Sequence, residues 1–295
     1  MELRVLEYFV TTATEMSMTK AAQRLHITQP TLSIQLRDLE DELGTILFER
    51  TNRGISLTQD GEYFFSKAKD ILTIVNDTVS NLQNTDDLAG PINIGGAETY
   101  HNELLFKILK SIRIDHPRIS CHYVSGNANQ TMPLLDSGVI DFAVVMGHVD
   151  KSKYNHIDLP YEDHFILITK KDNPLAQLST ITKDDIEKEP LITSGQSHVD
   201  TFLESWLGQS IDSYEISGTY TLINNGLFMV KADLGSAIAI DGLVNTEGTD
   251  LCTIPLSPTL TVNSSIIWRK NQALSQASQL FLDTLQEEIS NHSKE

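Results

Sequence analysis

Apolar residues between positions 17 and 43 recur at helical spacing in two stretches separated by a short turn. The first stretch places small and apolar residues on one face: Met18, Ala21, Ala22 and Leu25. The second places a stripe of leucines on one face: Leu32, Leu36, Leu39 and Leu43. Ser17 and Thr28 each stand directly before a stretch, where a hydroxyl side chain is favoured as an N-cap. The pattern predicts two helices joined by a tight turn at residues 26–27.

The face of the second predicted helix that lies opposite its leucines is mostly polar. Residues 17–37 carry three basic side chains and no acidic one. A helix pair of this shape and charge is suited to placing its second helix in the major groove of DNA. Ala-rich helix pairs also occur in bundles without a DNA role, which is the alternative. The sequence predicts a DNA-binding surface formed by Ser17, Thr19, Lys20, Thr28, Gln29, Pro30, Thr31, Ser33, Ile34 and Arg37.

The segment after these helices predicts a β-hairpin over residues 47–57, with its tip at residues 52–54. A hairpin in this position is a wing beside the second helix. Its basic residues, Arg50 and Arg53, are expected to reach the DNA backbone or the minor groove. The alternative interpretation is a basic turn that contacts only solvent.

A long helix is predicted from residue 58 to about residue 82, because this stretch has no proline and its only glycine is Gly61. Its apolar positions follow a spacing of four and three, which is typical of a heptad seam. The seam includes Thr78, and the residues assigned to dimerisation are Phe64, Ala68, Ile71, Val75 and Leu82. Pairing with the same helix of a second subunit would cover this stripe. Packing onto the helix's own chain is the alternative.

Beyond a polar loop at residues 84–91, strand-like and helix-like segments alternate to the end of the chain. This alternation predicts an α/β domain with a mostly parallel sheet. The pattern restarts near His164, which predicts two lobes, and the final strand and helix are expected to return to the first lobe. The predicted domains are residues 1–58, a linker helix at 59–89 and a domain at 90–295. In the last of these, the first lobe comprises about 90–162 and 266–295, and the second about 163–265.

Composition and charge restrict the classes of function that this chain can have. The net charge of -18 argues against strong non-specific binding to DNA, but specific binding depends on basic residues placed within a Debye length of the phosphates. The chain contains none of the nucleotide-binding, nucleophile-elbow or metalloprotease motifs, so an enzyme is not expected. For the same reason, neither a cofactor nor a metal site is expected. Without a long apolar run or a signal peptide at its start, the chain is expected to be cytoplasmic, with no membrane partner.

Three segments of the first 61 residues resemble the LysR-type transcriptional regulators. They are the predicted helix at residues 3–13, the segment AAQRLHITQPTLS, and LEDELGTILFERTNRGISLTQDG at residues 39–61. The remainder resembles the family more weakly, through DSGVIDFAVV, DNPLA and ADLGSAIAI.

The resemblance implies a winged helix-turn-helix domain, a linker helix that dimerises, and an effector domain of periplasmic-binding-protein architecture. It implies a ligand-responsive transcription regulator that binds promoter or operator DNA and assembles as a dimer, with a tetramer expected. A small-molecule-binding module with a helical dimerisation domain and no DNA role is the alternative. Some family members sense oxidants through a cysteine pair. Cys121, however, lies in an alternating strand-like segment, which favours a packed structural thiol.

A small polar effector is expected where strands of the two lobes end, because open α/β sheets bind ligands outside the carboxyl ends of their strands. The candidate residues are Ala97, Glu98, Thr99, Ser125, Asn127, Gly147, Ser194, Gln196, Asn225 and Asp241. For each of them, ordinary turn chemistry is the alternative role. Glu98 departs from the family, in which the resemblance implies a Ser or Thr that receives a carboxylate effector. A carboxylate at this position would instead favour an amine, a hydroxyl-rich group or a metal-bridged ligand.

Overall fold

A computed structural model describes residues 1–51, 54–83, 88–195 and 197–292. The chain divides into two compact units, Met1–Gln83 and Asn84–Glu295. Across the part of the chain that the structure describes, every helix is too short or too polar to span a lipid bilayer.

The first unit consists of helices and one small hairpin. Its elements are α1 (Leu3–Glu15), α2 (Met18–Arg24), α3 (Gln29–Leu43), β1 (Phe48–Thr51), β2 (Gly54–Leu57) and α4 (Gln59–Gln83). The predicted N-caps are confirmed: Ser17 accepts a hydrogen bond from Lys20 N, and Thr28 accepts one from Thr31 N. The predicted hairpin is also confirmed, with Phe48 paired to Leu57 in antiparallel register.

An aromatic cluster forms the centre of the first unit. The Phe9 ring lies 5.2 Å from that of Phe48 and 4.9 Å from that of Phe64. The leucine stripe of α3 packs into the same core, with one exception. The prediction for Leu43 is wrong, because this side chain is 40% exposed. It is the last residue of α3, directly before the left-handed C-cap Gly44, so no further turn of helix follows to cover it.

The predicted seam of α4 is divided between two environments. Ala68 is fully buried in the core of the first unit, and Phe64 packs against the same core. The prediction that Ala68 belongs to a dimer seam is therefore wrong, whereas Phe64 is half-buried and its place in the seam stays a prediction. Both residues cover the core of their own domain, where Phe64 contacts Phe9 edge to face. Further along, Ile71 and Leu82 are exposed and Val75 is half-buried, so this later part of the stripe is open to a partner.

The second unit is an α/β domain. Its strands are β3 (Gly90–Gly96), β4 (Ile119–Ser125), β5 (Phe142–Met146), β6 (Tyr154–Lys170), β7 (Leu191–Ser194), β8 (Ile216–Tyr220), β9 (Ser236–Ile240), β10 (Leu251–Pro255) and β11 (Thr261–Arg269). Its α-helices are α5 (Asn102–Asp115), α6 (Ala128–Ser137), α7 (Ser197–Leu207), α8 (Ile223–Lys231) and α9 (Gln276–His292).

The sheet is mixed, and the prediction of a mostly parallel sheet is wrong. The strand order is β4-β3-β5-β11-β6-β9-β7-β8, with β10 paired to β6. The pairs β3–β4, β3–β5, β7–β8 and β7–β9 are parallel. The long strand β6 and its partner β11 run antiparallel to each other and to the strands they join. These two strands pass between the lobes, and their direction makes the sheet mixed.

Each lobe has its own hydrophobic core. The first half of β6 pairs with β11, while Phe165 to Ile168 pair with β9. The core of the first lobe includes Ile94, Phe142 and Phe281. Because Phe281 belongs to α9, the last helix does return to the first lobe. The second lobe is built around Leu167 and Ile238 on one face of its sheet, and around Ile168 and Ile192 on the other.

Candidate functional site

The face of α3 opposite its leucines is open to solvent. Ile34 lies on this face and is 54% exposed, although it is a large branched apolar residue. The other exposed predicted DNA-binding residues of this segment are Thr28, Gln29, Pro30, Thr31 and Arg37, and Ser33 is half-buried. Thr28 Oγ1 and Thr31 Oγ1 lie 2.8 Å apart and share a hydrogen bond, so the first turn of α3 presents an ordered pair of hydroxyls.

The remaining predicted DNA-binding residues lie on or beside two neighbouring elements. Thr19 and Lys20 are exposed on α2, and Ser17 is half-buried with its hydroxyl used as the N-cap. Arg53 lies outside the described residues, and so does the side chain of Arg50.

A carboxylate that the sequence analysis did not single out fixes the start of the wing. Glu40 Oε1, on α3, accepts hydrogen bonds from Leu47 N at 2.7 Å and from Phe48 N at 3.0 Å. A charged acceptor strengthens such bonds. Glu40 therefore ties the first strand of the hairpin to the helix that carries the exposed face. Glu40 lies seven residues before Leu47, and no sequence pattern indicates this role.

A cleft lies between the lobes of the second unit, at the carboxyl ends of their strands. It encloses a small cavity of about 40 Å³. The lining residues are Glu98, Met146, Phe165, Ser194, Tyr220, Thr221, Ile223, Ile240 and Leu243. This volume is large enough for water but far below the roughly 300–1,000 Å³ of ligand pockets, so a metabolite requires the lobes to move apart.

Four of the predicted effector-binding residues face the cleft or its mouth. Glu98 and Ser194 line the small cavity. Ser125 and Asn225 line an adjacent open groove of about 750 Å³, which lies between the start of α6 and the segment joining β8 to α8.

Other predicted effector-binding residues have structural partners instead. Thr99 is buried, and its hydroxyl donates a hydrogen bond to Asp163, so it has a structural partner in this arrangement and its contact with an effector stays a prediction. Asn127 is the N-cap of α6 and forms a capping box with Gln130. Gly147 faces Phe202 across the lobes.

Two further candidates, Ala97 and Asp241, contribute little to the cleft in this arrangement. Ala97 is buried, and its carbonyl oxygen lies 3.1 Å from Tyr123 Oη. Asp241 is exposed and accepts from Gly242 N at 2.8 Å. Gln196 lies outside the described residues.

A buried polar cluster behind the cleft was missed by the sequence analysis. Asp163 accepts hydrogen bonds from Thr99 Oγ1 at 2.8 Å and from Ser264 Oγ at 2.6 Å. His101 Nε2 lies 3.5 Å from Asp163 Oδ2, and both side chains are almost completely buried. The cluster joins the loop after β3 to the two strands that pass between the lobes. A charged residue two positions before the apolar run FILIT of β6 was the available sequence signal.

Burial lowers the pKa of His101, and the neighbouring Asp163 only partly offsets this effect. A histidine whose pKa is lower in the folded state takes up its proton more readily when unfolded, so protonation favours unfolding. We expect the chain to lose stability as the pH falls below about 6.5, the pKa of an unperturbed histidine. This contribution amounts to at most about 1.4 kcal/mol per pH unit. Chemical denaturation at pH 7.5 and 5.5 measures it. A His101→Gln variant with the same pH dependence as the wild type would contradict the assignment.

Two phenols near Glu98 remain protonated. Burial raises the pKa of Tyr123 to about 12, and the negative charge of Glu98 adds a smaller contribution. Burial also raises the pKa of Tyr220, and the negative charge of Glu98 adds to this increase. The Tyr220 hydroxyl donates to Ile238 O at 2.8 Å. Within the described ranges, no group of three or more His, Cys, Asp or Glu side chains is arranged to hold a metal ion.

Comparisons with known protein families match both units. Residues 3–62 match the bacterial regulatory helix-turn-helix protein, lysR family, and residues 85–290 match the LysR substrate binding domain. The chain therefore belongs to the LysR family of transcriptional regulators, and the exposed face of α3 and the cleft lie in the family's two characteristic domains.

Individual relatives and structures are similar to this chain over different lengths. The hydrogen peroxide-inducible genes activator of Pectobacterium carotovorum subsp. carotovorum is 30% identical over 201 residues, which cover 67% of this chain and 66% of that protein. The chain thus matches just under two thirds of that relative's length. The uncharacterized HTH-type transcriptional regulator YnfL of Escherichia coli (strain K12) is 27% identical over 95% of this chain and 96% of that protein. The crystal structure of full-length CbnR complexed with its target DNA superposes with a TM-score of 0.76 at 20% identity, covering 97% and 99% of the two chains.

Proposed function

We propose that this protein is a ligand-responsive transcription regulator that binds specific DNA sequences through α3. The observation that carries the proposal is the exposed outer face of α3, on which Ile34 is the large apolar residue among polar and basic neighbours. A capped helix with this face fits the major groove, and its first-turn amides favour a phosphate. Membership of the LysR family and the likeness of the fold to a regulator solved with its target DNA support it.

The ligand in this proposal is a small metabolite bound in the cleft between the lobes. Closing the lobes around a ligand changes the population of conformations available to the chain, which would alter how paired DNA-binding domains are presented. We propose that α4 pairs with the same helix of a second subunit through Ile71, Val75 and Leu82. This pairing would form a dimer, and two such dimers would form a tetramer. A regulator of this kind acts where the DNA is, so we expect it in the cytoplasm.

Oxidant sensing through a cysteine pair receives no support from the geometry. Cys121 packs against the core of the first lobe and Cys252 against that of the second. Burial raises the pKa of both thiols, which lowers the fraction of reactive thiolate. A relative named as a hydrogen peroxide-inducible activator therefore does not define the signal for this chain.

A gel-shift assay on the DNA upstream of the protein's own gene tests the proposal. We expect a sequence-specific shift that a scrambled duplex does not compete away. A small-molecule-binding module without a DNA role would produce no specific shift, and that result would reject the proposal.

Replacing Ile34 with Arg tests whether α3 reads bases. A branched apolar side chain can pack on a thymine methyl, whereas Arg forms a bidentate pair with guanine. We expect selection from a random DNA pool to move the consensus at one position from T towards G, with a discrimination of about 1–3 kcal/mol. An unchanged consensus with uniformly tighter binding would mean that the new Arg meets phosphate and that Ile34 does not read a base.

A further inference from the structure

The two lobes are connected in the cleft by a carboxylate that belongs to the chain itself. Glu98 follows β3 in the first lobe, and its Oε2 accepts a hydrogen bond from Ile223 N at 3.0 Å. Ile223 is the first residue of α8 in the second lobe, and the N-cap residue Leu222 provides no side-chain cap. The Glu98 carboxylate thus occupies the position at which free amides and the helix dipole favour an anion.

An independent observation marks the same cavity as a binding position. Ser194 is only 8% exposed, and its Oγ has no hydrogen-bond partner among the described residues. Ser194 and Glu98 line the same small cavity from opposite lobes. A buried hydroxyl without a partner is costly, so its presence here indicates a group that a ligand can satisfy.

The lobes also approach each other closely at two glycines. A Cβ built on Gly147 of the first lobe would lie 2.5 Å from Phe202 Cζ of the second. A Cβ on Gly242 of the second lobe would lie 3.2 Å from Tyr100 Cδ2 of the first. Both glycines have positive φ angles, 80° and 77°. A side chain at either glycine would have little room, so the lobes are in close contact in the arrangement in which Glu98 reaches α8.

We propose that Glu98 acts as a tethered ligand at the start of α8 and thereby determines the charge of the effector that the cleft accepts. The inference rests on the proposed role of the cleft as the effector site. A second carboxylate at this place would meet a like charge within a narrow cavity, which is unfavourable. The cleft therefore rejects ligands that present a carboxylate to α8 and accepts ligands that are neutral or cationic at that end. Such ligands can donate to the remaining lone pairs of Glu98.

Removing the tethered carboxylate and supplying it again in solution tests the proposal. A Glu98→Ala variant lacks one CH₂ and the carboxylate, a fragment that acetate replaces. In full-length protein we expect the Ile223 amide to exchange with deuterium about tenfold or more faster in the variant, the effect of losing a charge-assisted hydrogen bond. Acetate should restore the protection and raise the melting temperature of Glu98→Ala. Acetamide, which is isosteric with acetate but uncharged, should restore neither the protection nor the melting temperature, and chloride at the same ionic strength should not either. Acetate should leave the amide exchange and melting temperature of the wild type unchanged.

Glu204 supplies a matched control. Its Oε1 accepts from Ile211 N at 3.0 Å and from Ser210 Oγ at 2.9 Å, all within the second lobe. A Glu204→Ala variant should therefore exchange its Ile223 amide at the wild-type rate. If Glu98→Ala does not fold, Glu98→Gln keeps the size of the side chain without its charge, and a several-fold faster exchange at Ile223 is expected.

Unchanged Ile223 exchange in the folded Glu98 variants, or equal stabilisation of wild type and Glu98→Ala by acetate, would overturn the proposal. Either result is separable from failure of the proposed function. The gel shift is measured with wild-type protein on its operator and without an effector. It therefore reports on DNA binding alone, whatever the Glu98 variants show.

Discussion

A Gly61→Ala variant is expected to unfold or strongly destabilise the DNA-binding unit. Gly61 lies in the first turn of α4, and a Cβ there would stand 2.1 Å from Leu47 O and 3.1 Å from Leu57 Cδ2. The contact with backbone cannot be relieved by a rotamer change, so α4 or the hairpin has to shift. We expect a loss of at least about 3 kcal/mol, at the upper end of overpacking costs. Thermal unfolding of the first unit and operator binding both measure it.

Gly44→Ala is the matched control for this prediction. Gly44 has a φ of 69°, but a Cβ there would meet nothing within 4 Å. The substitution therefore introduces only left-handed backbone strain, about 1 kcal/mol. Equal losses in the two variants would show that the close approach of α4 to Leu47 does not limit stability.

The elements of the first unit could be predicted closely because their signals are local. The hydroxyls of Ser17 and Thr28 cap the helices that follow them, and each bond spans three residues. The spacing of apolar residues identified the seam of α4 correctly as a stripe, but not what covers it. Ala68 is buried in the core that contains Phe9, and Phe64 contacts Phe9 directly, although α4 and Phe9 are far apart in sequence.

The cleft shows the same limit more clearly. Its location follows from the rule that ligands bind at the carboxyl ends of strands, which requires only the order of elements. The roles of individual residues depend on partners that the order does not reveal. Thr99 meets Asp163 across 64 positions, and Glu98 meets Ile223 across 125. Because such pairs form only in the folded domain, a sequence pattern cannot distinguish a committed polar group from one available to a ligand.

The mixed sheet arises from a related cause. β6 is 17 residues long and pairs in both lobes, whereas an apolar run such as FILIT is read locally as one short buried strand. Its polar first half, which includes Glu162 and Asp163, has the composition of a loop. Pairing with β11 stabilises it as a strand, and Ser264 on β11 provides a hydrogen bond that makes the buried Asp163 acceptable.

An Asp163→Ala variant is therefore expected to destabilise the second unit more than any surface carboxylate does. The substitution removes the acceptor of the Thr99 and Ser264 hydroxyls and the charge beside His101, all in a buried position. Breaking a buried charged network by removing one partner costs about 3–5 kcal/mol. Chemical denaturation of the full chain, followed by circular dichroism, measures the loss.

Asp158→Ala provides the comparison on the same strand. Asp158 is exposed and accepts a single hydrogen bond, at 2.7 Å, from Ser265 Oγ, the residue next to Ser264. Ser265 is itself buried, but water can enter the space that the exposed Asp158 carboxylate leaves, so its removal should cost about 1–2 kcal/mol. A loss at Asp163 no larger than that at Asp158 would mean that water or a rearranged side chain satisfies both hydroxyls. The junction of the lobes would then be held by the apolar packing of β6 and β11, and the polar cluster behind the cleft would not contribute to its stability.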